Sequence, residues 1–141
     1  MQCDLSLSYI TGLVLISNSL AGDVRVPYKI SALSGLRLLQ LDGNVLQGTF
    51  PFDALAGMME LRIVMLGGNG LTGEIPPGVL IGDGGNGTAG LELLSLEGNA
   101  FTGNAPEKVC TSHDGPVGSS GTLVVDCRLN PCSCCKGPFC G

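Results

Sequence analysis

The chain has 141 residues, which suffices for one domain with its own hydrophobic core and is too short for two domains of ordinary size. Hydrophobic residues make up 44% of the sequence and charged residues only 13%, which argues against a disordered chain, and the aromatic content of 4% leaves aliphatic side chains to build the interior. The formal charge of −5 argues against binding to nucleic acid or to an anionic membrane, and no apolar run approaches the roughly 18 residues that a membrane span requires.

One pattern recurs four times along the chain, and its copies align on a common asparagine. The copies are ITGLVLISNSLAGDV (10–24), LRLLQLDGNVLQGTFP (36–51), LRIVMLGGNGLTGEIP (61–76) and LELLSLEGNAFTGNAP (91–106). Their shared frame is LxxLxLxxNxLxGxxP, and the aligned asparagines are Asn18, Asn44, Asn69 and Asn99. The segments between the blocks vary in length while the blocks do not, which is typical of a solenoid in which each repeat packs against its neighbours.

Each fixed position of the frame has a physical role. The LxL stretch has the period of a strand, so Leu39 and Leu41 are predicted to point into the core while their neighbours face solvent. An inward asparagine after each strand would pair with backbone groups that stacking otherwise buries, so the four aligned asparagines are predicted to form a structural ladder. The following glycine allows a bend, and proline then fixes φ in every copy except the first, which has Arg25 there.

These blocks resemble the plant-type leucine-rich repeat, whose signature is LxxLxLxxNxLxGxIP, and LTGEIP (71–76) matches that signature outright. The resemblance covers nearly the whole chain. It implies an α/β-type repeat solenoid: a right-handed superhelix with a short-stranded parallel sheet on the concave face and a mostly irregular or 3-10 convex side. The repeats are expected at 10–35, 36–60, 61–90 and 91–106.

Both ends of the chain resemble caps of such proteins. Residues 1–9 resemble the remnant of an N-terminal cap, in which a cysteine before the first repeat pairs with an upstream one. Because Cys3 has no upstream partner in this sequence, the chain looks truncated. Residues 107–141 resemble the cysteine-rich C-terminal cap of secreted or cell-surface plant-type repeat proteins, particularly algal ones. A cross-linked segment of this kind would cover the apolar end of the last repeat.

The cysteines near the C-terminus raise three alternatives: a metal site, a redox centre or a disulfide cluster. Their spacing, C-x4-C-x-C-C-x4-C, lacks the CxxC pairs of zinc sites and of dithiol redox centres, so neither a metal nor catalytic thiol chemistry is expected. With Cys3 set aside, an even set remains for disulfides: Cys110, Cys127, Cys132, Cys134, Cys135 and Cys140. Their pairing stays open, and such bridges imply an oxidising compartment.

A second feature agrees with an oxidising compartment. The triplet NGT that begins at Asn86 is an N-glycosylation sequon, and it lies in the insertion GDGGNGTAG (82–90) that lengthens the third repeat. This loop is expected to project from the convex side of the solenoid. Glycosylation at Asn86 is therefore predicted for an exported protein.

Function is expected at the solvent-facing strand positions, which stacking would align in columns on the concave face. The expected ligand-binding residues are Val14, Ile16, Leu38, Gln40, Asp42, Ile63, Met65, Leu93, Ser95 and Glu97. Contiguous apolar surface beside the acids Asp42 and Glu97 favours a contact site for a protein, peptide or glycan ligand, with Met65 as an adaptable contact. The alternative is tolerated surface, or surface that another part of a longer chain covers.

The sequence thus predicts a non-catalytic recognition module from the extracellular or cell-surface region of a secreted or receptor-like protein. The single histidine does not allow a catalytic triad of nucleophile, histidine and acid to be assembled. The glycines of the 82–90 insertion do not form a phosphate-binding P-loop, because no GK[ST] follows them. No enzyme activity, cofactor or nucleic-acid partner is expected. The alternative functions are a structural or adhesive role at the cell surface, and inhibition of a wall-degrading enzyme.

Overall fold

The described part of this chain folds into short strands and two 3-10 helices. A computed structural model describes residues 2–4, 9–23, 27–55, 57–76, 91–103, 122–129 and 137. The strands are β1 (Gln2–Asp4), β2 (Tyr9–Val14), β3 (Ala21–Asp23), β4 (Leu38–Gln40), β5 (Val45–Thr49), β6 (Ile63–Met65), β7 (Gly70–Glu74), β8 (Leu93–Ser95), β9 (Ala100–Thr102) and β10 (Thr122–Val124). The 3-10 helices are Pro27–Ala32 and Phe52–Leu55. No helix in these ranges is long and apolar enough to cross a bilayer.

The LxL stretches form the first of two sheets. It has six strands in the order β1-β2-β4-β6-β8-β10, all parallel to their neighbours except β1, which runs antiparallel to β2. Equivalent repeat positions pair directly, since Leu39 lies opposite Leu13 on one side and Val64 on the other. The predicted leucine-rich-repeat solenoid with a short-stranded parallel sheet is confirmed.

The segments that follow the asparagines form a second sheet, to which the sequence pattern assigned no strands. It has four parallel strands in the order β3-β5-β7-β9. Here equivalent positions do not pair: Gly48 lies opposite Leu71, two residues before the equivalent Gly73. The remaining convex segments include the two 3-10 helices, as the resemblance implied.

The core lies between the two sheets and the 3-10 segments, and aliphatic side chains dominate it. Leu39, Val64, Leu94 and Leu123 occupy one position of successive strands and are all buried. Complete burial of such a side chain stabilises the folded state by about 1.5–3 kcal/mol. Three phenylalanines add an aromatic cluster: the ring centroids of Phe50 and Phe52 are 5.0 Å apart, and those of Phe52 and Phe101 are 5.6 Å apart.

A sixth strand of the first sheet comes from residues 107–141, where the sequence indicated a cap. Strand β10 pairs in parallel with β8, which places Leu123 beside Leu94. Leu123 and Val125 are buried in the core like the leucines of the preceding repeat. The repeat asparagine does not mark this repeat-like segment, because Arg128 stands where the preceding repeat has Asn99.

Several predicted residues fall where the structure gives little or no description. Within the described part of the chain, Cys127 is half-buried and disulfide-bonded. Cys110, Cys132, Cys134, Cys135, Cys140 and the sequon residue Asn86 lie outside the described residues. The six-cysteine set and the glycosylation site therefore stay predictions.

Candidate functional site

The outward positions of the six-stranded sheet form a continuous surface, which we call the concave strip. Strand register aligns its first column as Gly12, Leu38, Ile63, Leu93 and Thr122. The second column is Val14, Gln40, Met65, Ser95 and Val124. Both columns have the composition expected from the sequence, and β10 extends each of them by one residue.

The first column is the apolar part of the strip. Leu38, Ile63 and Leu93 are neighbours on adjacent strands, and each is half-buried, whereas the inward residue that follows it is buried. Neighbouring strands lie about 4.8 Å apart, so the three side chains form one unbroken aliphatic row. Each of these side chains is partly accessible, and the elements described as contacting β4, β6 and β8 are their neighbouring strands in the same sheet.

The second column is partly occupied by contacts between its own side chains. The Gln40 Nε2 atom donates a hydrogen bond to the Met65 sulfur at 3.1 Å, so both side chains lie along the strip. Ser95 departs from the expected exposure: it is only 3% exposed, and its hydroxyl donates to the Glu97 carboxylate. We therefore assign Ser95 to positioning Glu97 rather than to direct ligand contact.

The third column carries the acidic edge of the strip. Main-chain bonds extend the sheet register past the strand ends, since Ser17 N donates to Asp42 O at 2.9 Å and Gly68 N donates to Glu97 O at 2.8 Å. The column is Ile16, Asp42, Gly67 and Glu97; Ile16 is 43% exposed and both acids are half-buried. A Cβ built on Gly67 would lie 2.8 Å from Glu97 Oε1, so the Glu97 carboxylate overlies this glycine.

The opposite edge of the strip carries basic residues that are already engaged. Arg37 pairs with Glu60 at 3.4 Å, and both side chains are largely solvent-exposed. The Arg62 guanidinium donates to the carbonyl oxygens of Met59 at 3.0 Å and Leu61 at 3.1 Å. Both cations therefore bind groups in the turn that precedes β6.

The asparagines bind backbone groups across successive repeats. Asn69 donates to Leu41 O at 3.0 Å and to Leu66 O at 3.0 Å, and its Oδ1 accepts a hydrogen bond from Leu46 N at 3.1 Å. Asn99 repeats the pattern with Leu66 O and Leu71 N. Each shared leucine carbonyl thus accepts from two asparagines, and the side chains tie one repeat to the next.

The same bonds set the register of the second sheet. The Asn69 amide lies beside Leu46, so residue 69 is opposite residue 46 when the chain enters β7. Continuing two residues along both strands places Leu71 opposite Gly48, as observed. In the second sheet, neighbouring strands are therefore offset by two residues from the pairing of equivalent positions seen in the first sheet. This offset follows from the length of the asparagine side chain and the amide that it reaches.

Asn18 departs from the expected inward position. It is exposed, and its side-chain nitrogen donates only to Ile16 O, at 2.9 Å, within its own turn. Asn44, by contrast, is 5% exposed and accepts from both Asn18 N and Leu20 N. The described residues before Asn18 supply no repeat against which its side chain could be buried.

A second glycine column precedes the asparagines and was not singled out in the sequence. Gly43, Gly68 and Gly98 have φ values of 64°, 63° and 68°. Ser17 takes this place in the first repeat with a φ of 51°. The left-handed conformation favours glycine, so the recurring pair Gly-Asn was the signal that could have located this turn.

No group of three potential metal ligands occurs among the described residues. The candidate site in this part of the chain is the concave strip. The strip combines an apolar row with an acidic edge. Cations that already have partners lie at its opposite edge.

Comparisons with known proteins place the fold. No protein-family model matches the sequence, and no similar curated protein was found. The leucine-rich-repeat ectodomain of the receptor kinase SOBIR1 from Arabidopsis thaliana is similar, with 25% identity and a TM-score of 0.61 over 92% of this chain and 60% of that chain. Pollen Receptor Kinase 3 is similar with 20% identity and a TM-score of 0.58, over 97% of this chain and 75% of that one.

A third solved structure, PEPR1–AtPEP1, has 21% identity and a TM-score of 0.58 over 86% of this chain and 19% of that chain. This chain therefore spans only part of the length of these neighbours. The protein is a leucine-rich-repeat solenoid, and its structural neighbours include the leucine-rich-repeat ectodomain of one receptor kinase and a second receptor kinase.

Proposed function

We propose that the protein is a non-catalytic recognition module from the extracellular region of a receptor-like leucine-rich-repeat protein, and that it binds a peptide or protein on the concave strip. The leucine-rich-repeat ectodomain of the receptor kinase SOBIR1, which this chain resembles, supports the extracellular location and the recognition role. The disulfide bond of Cys127 agrees with an oxidising compartment.

The unbroken aliphatic row of Leu38, Ile63 and Leu93 carries this proposal. Strand register makes the three side chains neighbours on the outward side of the sheet, where each is half-buried. Contiguous apolar surface costs free energy in water, and monomeric proteins keep it mainly where a partner covers it. A polypeptide ligand can cover such a row with its own aliphatic side chains while its backbone bonds to the polar second column.

The proposal is tested with short randomised peptides displayed on phage and selected on the purified protein. Leu38→Asp and Ile63→Asp each place a charge within the aliphatic row, so each should weaken selected peptides by at least about tenfold, roughly 1.4 kcal/mol. Val45→Asp is the matched control because Val45 is a 52% exposed aliphatic residue of the second sheet.

Circular dichroism and thermal unfolding must show that all three variants stay folded. Selected peptides that bind the Leu38→Asp and Ile63→Asp variants as tightly as the wild type would place recognition elsewhere. Equal weakening by Val45→Asp would likewise contradict the proposal, since that residue lies on a different sheet.

A further inference from the structure

Asn69 differs from the other three ladder asparagines in being followed by glycine, Gly70. The hydrogen bonds of its side chain form what we call the Asn69 rung. From the glycine and the rung together, we infer that Asn69 is a site of spontaneous deamidation, which the folded ladder blocks and which opening of the rung releases. The product is aspartate or isoaspartate at position 69, and neither residue can rebuild the rung.

The reaction consumes one water molecule, releases one ammonia molecule and involves no oxidant or reductant. The Gly70 nitrogen attacks Asn69 Cγ, so a bond forms between these atoms and the bond from Cγ to Nδ2 breaks. The proton of the Gly70 N–H leaves with Nδ2 as ammonia, and the product is a cyclic succinimide. Water then opens the ring at Cγ to give aspartate, or at the main-chain carbonyl carbon of residue 69 to give isoaspartate, whose backbone is longer by one carbon.

Gly70 makes this asparagine the reactive one among the ladder residues. No Cβ shields the nitrogen of a glycine, and its backbone turns freely into the angles that ring closure needs. Asn99 forms the equivalent rung, since it bonds to Leu66 O and Leu71 N, but Ala100 follows it. The two rungs thus have the same bonds and differ in the attacking nitrogen, so Asn99 is an internal control.

In the folded protein the rung holds the Asn69 amide back toward residues that precede it. Nδ2 donates to Leu66 O at 3.0 Å and to Gly67 O at 3.3 Å, and these carbonyls lie three and two residues earlier in the chain. It also donates to Leu41 O at 3.0 Å, while Oδ1 accepts from an amide of the preceding repeat. The ring can form only after the side chain leaves these bonds, because Nδ2 must depart and Cγ must turn toward the nitrogen that follows.

The product removes the rung permanently. A carboxylate has no N–H, so Leu41 O and Leu66 O each lose a donor and face a negatively charged oxygen instead. Isoaspartate also lengthens the backbone between β6 and β7, where the register of the second sheet depends on residue 69 lying beside residue 46. The rate at which intact protein is lost therefore follows how often the rung opens.

The test compares Asn69 with Asn99 in the full chain, folded and in guanidinium chloride, in a mildly alkaline buffer. Cleavage after glutamate places Asn69 in peptide 61–74 and Asn99 in peptide 98–107, and mass spectrometry measures the conversion of each asparagine. In the unfolded chain, Asn69 should convert at least about tenfold faster than Asn99. In the folded chain, Asn69 should convert at least about tenfold more slowly than in the unfolded chain, because the rung must open first.

Two variants separate the reactivity of the Asn-Gly pair from its protection by the rung. Gly70→Ala should bring the conversion of Asn69 in the unfolded chain to within about twofold of that of Asn99, and this measurement needs no folded protein. Val64→Ala leaves the reacting pair unchanged but removes buried packing in the same repeat. It should speed the conversion of Asn69 in native buffer at least about fivefold, since the repeat opens more often. Low concentrations of guanidinium chloride should speed it in the wild type for the same reason.

Several results would overturn the inference. Equal conversion of Asn69 in the folded and unfolded chains would show that the rung does not protect it, as would a rate that neither Val64→Ala nor guanidinium chloride changes. Equal rates at Asn69 and Asn99 in the unfolded chain would show that Gly70 confers no reactivity. Converted protein, returned to native buffer, should unfold at a temperature no higher than the Asn69→Asp variant, and recovery of the wild-type unfolding temperature would show that the rung is not lost.

Discussion

Replacing Asn69 with alanine should lower the free energy of unfolding by about 1–3 kcal/mol, the cost of leaving one partly buried amide unpaired. The number follows from which groups lose their only partner. Leu41 O keeps its bond from Asn44 at 2.8 Å, and Leu66 O keeps its bond from Asn99 at 2.9 Å. Leu46 N, by contrast, donates to Asn69 Oδ1 alone among the bonds described, so it is the group left without a partner.

Asn18→Ala is the matched control, because this ladder residue is exposed and makes one local bond within its own turn. We expect it to change stability by less than about 0.5 kcal/mol, as surface substitutions usually do. Asn69→Asp should destabilise more than alanine, because a carboxylate oxygen would then face two carbonyl oxygens. Urea unfolding followed by circular dichroism measures all three. Equal stability of the Asn69→Ala and Asn18→Ala proteins would refute the ladder argument.

Three further changes test the packing. Ser17→Gly should stabilise the fold by about 0.5–1 kcal/mol in urea unfolding, since Ser17 has a left-handed φ of 51°; a loss of stability would contradict this reasoning. Gly103→Ala should destabilise by about 1–3 kcal/mol more than Gly22→Ala, because both have positive φ but only at Gly103 would the Cβ crowd backbone, 3.2 Å from Ile75 N. Equal losses would exclude the close approach as a cause. Leu94→Ala should cost about 2–5 kcal/mol in the same assay, and a near-neutral result would show that the buried column does not hold the repeats together.

The sequence predicts the pairing of the first sheet because every repeat has the same alternation of inward and outward residues. Equivalent positions of successive repeats then lie opposite each other. Leu39 and Val64 pair as their places in the frame require. For the same reason the sequence alone predicts which residues share each column of the concave strip. The alignment failed at β10, where the fold keeps the buried aliphatic positions but Arg128 replaces the asparagine used as the anchor.

The sequence by itself determined the repeat frame, the inward leucines and the identity of the outward columns, since these depend on spacing within one chain segment. Only the tertiary structure decided the register of the second sheet, the burial of Ser95 and the exposure of Asn18. The register of the second sheet depends on the amide of the preceding repeat that each ladder asparagine reaches, and Asn18 is exposed where no described repeat precedes it. Ser95 is buried with its hydroxyl bonded to the Glu97 carboxylate of the same repeat.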